Sequence, residues 1–209
     1  MPAAVTIDEG PLDRSTRRAC GELCARAFAG AEMFRLFFPA PRSRARSIAA
    51  LHRAALAHLG PAGRCSVARA HDGQVLGVAA WLAPGGFPPP VREQLIRLPS
   101  VLAAFAPHWG ALRLAARAEA ATLARHPREP HWYLQLLAVE PAAQRAGIGS
   151  ALLAPALERV DAEGALAYLE THDEANLAYY ERFGFALDAR LDLGRGGSGL
   201  FTMRREPRR

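Results

Sequence analysis

Polar and apolar positions change period repeatedly along this chain, and the changes divide it into short strands and helices. Val5 and Ile7 alternate with their neighbours, the period-two pattern of a half-buried strand. From Pro11 to Ala29 a helix is predicted, with Leu12, Ala19, Leu23 and Phe28 as core contacts. Phe34, Leu36, Phe37 and Phe38 then form a dense apolar cluster before Pro39 and Pro41. Ser43 is placed to cap a second helix that buries Ile48, Leu51, Leu56 and Leu59 and stops at Gly60-Pro61. Cys65 to Ala70 and Gln74 to Leu82 read as a hairpin about His71-Asp72-Gly73. Pro84 to Pro90 is too rich in proline and glycine for regular structure, and two helices follow, Val91 to Ala106 and Trp109 to Arg125. Residues 84–130 therefore interrupt an otherwise alternating strand–helix chain. They are expected to form a helical lid or pocket wall within a single domain, 1–209.

After the turn from His126 to Pro130, His131 opens the most constrained stretch. Leu134 to Val139 is an apolar run bounded by Pro141, and it reads as a buried strand. Ile148, Leu152, Leu153, Leu157 and Val160 then lie on one stripe of a helix that runs to about Glu163. Pro155 lies inside that helix, so a kink or a compensating contact is expected, and Gly164 ends it. Between strand and helix stands Gln144-Arg145-Ala146-Gly147-Ile148-Gly149. Its two glycines permit a sharp turn and leave the backbone amides uncovered at the positive end of a helix, an arrangement that binds phosphate oxygens. Arg145 adds a full positive charge. Taken alone, a Gly-x-Gly is equally a plain turn with a helix cap. A P-loop is excluded because it ends in Gly-Lys-Ser/Thr and the chain has no lysine. A dinucleotide fingerprint needs a third glycine where Leu152 stands; Glu170, on the next strand, keeps that reading open as an outsider.

Leu166 to Thr171 reads as the next strand, and Asp173 or Glu174 opens a helix through Arg182, ended by Gly184. Phe185 to Leu193 and Gly199 to Met203 flank a glycine-rich turn, Gly194 to Gly197, as a final hairpin.

Composition narrows the classes. Of 209 residues, 50% are hydrophobic, which is enough for one sizeable core. The net charge of +6 comes entirely from arginine on the basic side. No basic run with interleaved aromatics appears, so a polyanionic small molecule fits better than a nucleic acid. The terminal Arg204-Arg205 and Arg208-Arg209 read as a solvated tail. Cys20, Cys24 and Cys65 suit small core positions in a reducing, cytoplasmic compartment; they give neither a disulfide framework nor a metal site, and the histidines lack ligand spacing. No apolar run is long enough to span a membrane and no signal peptide is read, so no membrane partner is expected.

A second motif, Asn176-Leu177-Ala178-Tyr179-Tyr180-Glu181-Arg182-Phe183-Gly184-Phe185, follows the first. Together the two resemble the GCN5-related N-acetyltransferase (GNAT) superfamily. Its diphosphate loop reads Gln/Arg-x-x-Gly-x-Gly/Ala and is followed by Asn-x-x-x-Tyr-x-x-x-Gly-Phe. Trp132-Tyr133-Leu134, Leu169-Glu170-Thr171 and Tyr180-Glu181-Arg182 are similar to the puromycin N-acetyltransferase branch. The likeness is firm from His131 to Phe185 and extends to the last hairpin through Gly196-Gly197 and Met203. One departure is Arg145, where many relatives carry glycine.

The resemblance implies an α/β (α+β) acyl-CoA N-acyltransferase fold. A mixed, mostly antiparallel sheet of six to seven strands is flanked by helices, with 131–185 as the acetyl-CoA-binding core. It implies that Gln144, Arg145, Ala146, Gly147, Ile148, Gly149 and Ser150 hold the diphosphate of acetyl-CoA. Leu137, Ala138 and Val139 would splay from the neighbouring strand and pair with the pantetheine arm, the Val139 amide steadying the oxyanion. Asn176 and Tyr179 are further cofactor contacts. Tyr180 is the candidate acid for the leaving thiolate and Glu170 the candidate base, acting directly or through water. His131, His108 and Glu119 are weaker base candidates. Trp81, Phe87, Phe105, Trp109 and Tyr133 are candidates for lining an acceptor pocket. The expected reaction moves acetyl from acetyl-CoA to the primary amine of a small molecule, without a metal; a homodimer is compatible with it. Protein or peptide acetylation and a non-catalytic acyl-CoA sensor are the alternatives.

Overall fold

The computed structural model describes residues 5–192 and 199–208. Among them, β1 (Thr6–Glu9), β2 (Gly63–Arg69), β3 (Val75–Leu82), β4 (His131–Val139), β5 (Leu166–Thr171), β6 (Ala186–Asp192) and β7 (Gly199–Arg205) form one sheet. Its order is β1-β2-β3-β4-β5-β7-β6. Only β4 and β5 run parallel; the other neighbours are antiparallel. This is the mixed, mostly antiparallel sheet expected, and it removes the dinucleotide reading, which needs a parallel, doubly wound one. The glycine-rich turn of the final hairpin, with Gly196-Gly197, lies outside the described residues.

Helices α1 (Arg14–Ala27), α2 (Glu32–Phe37), α3 (Pro41–Ala57), α4 (Val91–Phe105) and α5 (Leu112–Arg125) precede β4. Helices α6 (Ile148–Ala162) and α7 (Leu177–Glu181) follow it. The Asp13 side chain caps α1 by accepting the Thr16 amide at 2.7 Å. Ser43 does not cap α3. That helix starts at Pro41, whose ring needs no amide donor, and Ser43 Oγ instead lies 3.0 Å from His108 Nε2. Trp109 falls before α5, in a 3-10 segment, Ala106–Ala111, that holds Pro107 and the non-helical His108. Pro155 leaves α6 unbroken. The carbonyl it deprives of a partner belongs to exposed Ala151, where water can replace the lost donor.

One face of the sheet buries Leu23, Phe38, Ile48, Val67, Val78 and Leu136 under the N-terminal helices. Cys20, Cys24 and Cys65 share that core; burial raises the Cys20 thiol to about 11 and the Cys65 thiol to about 12, so both are inert filling. The opposite face buries Trp81, Leu134, Leu152, Leu153, Leu169 and Met203 under α6 and α7. The C-terminal arginines are not all solvated. Arg205 is 2% exposed, grips Asp161 through two 2.7 Å hydrogen bonds and donates Nε to the Phe183 carbonyl, tying β7 to α6.

Two irregularities in β4 position the site. Ala80 pairs with Leu136 and Trp81 with Leu134, so Gln135 has no partner on β3 and bulges. The extra residue reverses side-chain parity, turning Leu134 toward α6 and Leu136 toward α1. Pairing of β4 with β5 also stops there, at Leu134 opposite Leu169. Beyond that point β5 follows β7, with Glu170 opposite Thr202, while β4 follows β3 as far as Val139 opposite Gly77. The two parallel strands therefore part, leaving a wedge between them.

Candidate active site

The wedge leads to an open helix terminus. The Glu140 amide donates to the Leu76 carbonyl at 2.9 Å, and a single 3-10 turn, Pro141–Ala143, reverses the chain. Arg145 (φ 64°) and Gly147 (φ 85°) both adopt the left-handed region; for Gly147 that is free, and for Arg145 it costs about 1–2 kcal/mol. Gly147 caps α6 with no side chain in attendance. The amides of Ile148, Gly149 and Ser150 thus begin a fifteen-residue helix without side-chain partners and at its positive end. Gln144, Arg145, Ala146 and Gly147 are exposed. A Cβ on Gly147 would meet nothing within 4 Å, whereas one on Gly149 would lie 2.6 Å from the Tyr179 hydroxyl. That hydroxyl is buried without a hydrogen-bond partner; desolvation raises its pKa, with Ser150 opposing. The orphaned hydroxyl, the uncapped helix and the space over Gly147 fit a bound diphosphate ester. The Gln144 side chain is used internally, donating Nε2 to the Val139 carbonyl at 3.2 Å.

Strand alternation orients the backbone along the wedge. Because the Glu140 amide points to β3, that of Ala138 does too, and those of Leu137 and Val139 point into the gap left by β5. An extended ligand arm can pair with them there.

Glu170 is the first residue of β5 beyond the last β4 pair. On one carboxylate oxygen it accepts the Tyr133 hydroxyl at 3.2 Å, and on the other the Tyr168 hydroxyl at 2.9 Å. Burial, reinforced by the Glu170 charge, holds both phenols well above their usual value, hence protonated. His126 Nδ1 lies 3.5 Å from Glu170 Oε1, and Phe87 stacks on His126 at 4.1 Å between ring centres. Glu119 is an exposed residue of α5. Desolvation, then the Glu170 charge, raises its carboxyl.

Tyr180 comes from the opposite side of the sheet. It is 8% exposed and packs edge-on against Tyr179 and Phe185. Desolvation raises its phenol well above the usual value, so it carries its proton throughout the neutral range. Tyr168 and Glu170 share one face of β5; Leu169 shares the core of Leu177 and Tyr180 on the other. Glu170 and the core that holds Tyr180 thus lie on opposite faces of β5. Exposed Asn176 donates Nδ2 to Thr171 Oγ1 at 3.0 Å, joining the end of β5 to α7. The helix predicted from Asp173 or Glu174 is in fact a 3-10 turn, Glu174–Asn176, followed by the short α7.

Of the proposed pocket aromatics, Tyr133 reaches Glu170, and Phe87 packs on Tyr133 and His126. Trp81 and Phe105 are core, at 1% and 3% exposed, and Trp109 is 57% exposed. His108 is structural, held between Ser43 and Phe38. Sequence reasoning missed His126, Tyr168 and Gln135. A lone polar residue inside Leu134 to Val139 was the available sign of the bulge, and Tyr168-x-Glu170 puts both side chains on one strand face. Nothing local marks His126, which comes to Glu170 only through the path of α5.

Known proteins place the fold. A family model described as the acetyltransferase (GNAT) family matches residues 29–185. Over 98% of both chains, this one is similar to a solved Corynebacterium glutamicum structure, histone acetyltransferase HPA2 and related acetyltransferase, at 24% identity and TM-score 0.71. The Escherichia coli ribosomal-protein-S18-alanine N-acetyltransferase aligns at 15% identity and TM-score 0.54, over 96% of this chain and 94% of that one. The paia N-acetyltransferase of Thermoplasma acidophilum, solved in complex with coenzyme A, aligns at 13% and 0.57, over 96% and 99%. With its parted strands, its uncapped helix and a family model that matches well over half its length, the chain belongs to the GNAT acetyltransferase family.

Proposed function

We propose that the protein is an acetyl-CoA-dependent N-acetyltransferase that acetylates the primary amine of a small molecule. The observation that carries this reading is the wedge between β4 and β5, which opens beside Glu170 and is followed by the uncapped start of α6; Tyr180 lies in the core on the other face of β5. Amides of Ile148 to Ser150, with Arg145, bind the diphosphate, and Tyr179 lends its orphaned hydroxyl. Leu137 and Val139 pair with the pantetheine arm. Leu137 lies about 7 Å nearer the level of Glu170 than Val139, so we assign the oxyanion contact to Leu137 rather than Val139.

The bound thioester supplies an activated acetyl carbon. An ammonium acceptor first loses a proton to the base at Glu170, leaving a lone pair on nitrogen. That pair forms the C–N bond, the C–S bond breaks, and the nitrogen releases its second proton. Tyr180 gives its hydroxyl proton to the departing thiolate and is recharged from water. One proton is released overall. A buried phenol is a weak acid, so Tyr180 works by position and by the thiolate's need for a donor in a dry site.

A peptide acceptor is the second reading, favoured by Val91, Leu95 and Leu98, which stand exposed along α4. Thiol release from acetyl-CoA, measured against a panel of small amines and of peptides, tests the proposal. Transfer to small amines supports it, transfer to peptides alone supports the second reading, and binding of coenzyme A without transfer to either contradicts both.

A further inference from the structure

Glu170 has both oxygens engaged by phenols, so where the acceptor's proton comes to rest is a separate question. Three contacts answer it. His131 Nδ1 lies 2.8 Å from the Glu129 carbonyl, His131 Nε2 lies 2.9 Å from His126 Nε2, and His126 Nδ1 lies 3.5 Å from Glu170 Oε1. A carbonyl only accepts, so the hydrogen on His131 is on Nδ1. His131 is buried, and desolvation lowers its pKa, which keeps it neutral; its Nε2 is therefore a lone pair. His126 Nε2 must then donate, and in the neutral ring its remaining nitrogen, Nδ1, is bare. That side chain is 6% exposed, and Nδ1 is fully buried with no hydrogen-bond partner. A bare ring nitrogen thus faces a carboxylate, and a single proton between them would satisfy both.

We propose that His126 and Glu170 form a proton-holding dyad in which the proton taken from the acceptor ammonium passes through the Glu170 carboxylate to His126 Nδ1, while His131 positions His126 by fixing its tautomer. The ammonium N–H bond breaks with its electron pair left on nitrogen, and an N–H bond forms at Nδ1. The resulting imidazolium sits against Glu170 and returns the proton to water after product leaves. The groups facing His126 are Glu170 and Tyr168 on β5, His131 and Tyr133 on β4, Glu119 on α5 and Phe87 from the proline-rich loop. Glu119 is positioned to stabilise the imidazolium. This inference rests on the acetyl-transfer reading, but its first test does not.

Long-range proton–nitrogen NMR of the full chain labelled at histidine, near neutral pH and without substrate, reads the tautomers directly. The expected spectrum has His131 protonated on Nδ1 and His126 protonated on Nε2 only. A His126 protonated on Nδ1, or already an imidazolium, overturns the dyad whatever the enzyme acetylates. His131→Phe removes the acceptor and should mix the His126 tautomers; an unchanged His126 spectrum removes His131 from the positioning role. With an accepted amine, His126→Gln should lower kcat about a hundredfold near neutral pH and recover as pH rises and the amine loses its proton unaided, with coenzyme A affinity unchanged. A loss equal at every pH, or none, overturns the dyad.

Discussion

At the residue scale, the roles proposed for Tyr180 and Arg145 are separable from their roles in the fold. Tyr180 is buried and protonated, and its helix spacing also makes it core. Tyr180→Phe keeps the ring and its packing, so thermal stability and coenzyme A affinity should hold while kcat falls at least about tenfold. Wild-type turnover in this variant would remove Tyr180 from the acid role. Arg145 holds a left-handed backbone that costs about 1–2 kcal/mol, and glycine there would release that strain. Glycine also loosens the unfolded chain, which takes back about 0.5–1 kcal/mol. Arg145→Gly should therefore change the unfolding free energy by less than about 1 kcal/mol while weakening coenzyme A several-fold through the lost charge. Calorimetric titration beside a melting curve separates the two effects; unchanged affinity would mean that the backbone amides alone bind the diphosphate.

Elements show why the motif-bearing half of the chain was readable and the rest less so. The run Leu134 to Val139, the two glycines and the apolar stripe of α6 are local signals, and each formed the element it announced. Ser43 failed as a cap because Pro41 starts the helix earlier, and a hydroxyl has other partners once the chain folds. Arg205 misled for the same reason: an arginine near a chain end looks solvated until the sheet order brings it to Asp161. That ion pair is a tertiary fact with a measurable weight. Asp161→Asn leaves a guanidinium that is 2% exposed without its counter-charge, a change that typically costs about 3–5 kcal/mol. The melting temperature should fall by at least about 6 °C. A drop of one or two degrees would mean that water reaches Arg205.

For the whole molecule, the sheet sets what the sequence could not. Which strands part depends on the order β3-β4-β5-β7 and on a bulge at Gln135, both long-range outcomes. The expected wedge came from family likeness, and the His126–Glu170 contact from neither likeness nor pattern. The N-terminal layer also has an acid limit. His52 Nδ1 donates to the Ile48 carbonyl at 2.8 Å, and the ring packs against Phe28 and Phe34. Although part of its surface meets water, the protein around it lowers its pKa from 6.5 to about 4, chiefly by desolvation. The unfolded chain therefore binds this proton first as pH falls. Stability is full above 6.5 and declines toward 4, by at most about 3 kcal/mol from this residue. Denaturant midpoints across that range should fall with pH in the wild type and flatten in His52→Leu; identical slopes would assign the acid loss elsewhere.

The central claim is that an uncapped helix start grips a diphosphate and aims a thioester down the wedge between β4 and β5. A crystal structure with coenzyme A tests it most directly. Diphosphate oxygens are expected on the amides of Ile148, Gly149 and Ser150, and the sulfur between Leu137 and Glu170, within hydrogen-bonding reach of the Tyr180 hydroxyl. A diphosphate bound elsewhere, or a sulfur that the Tyr180 hydroxyl cannot reach, would contradict it.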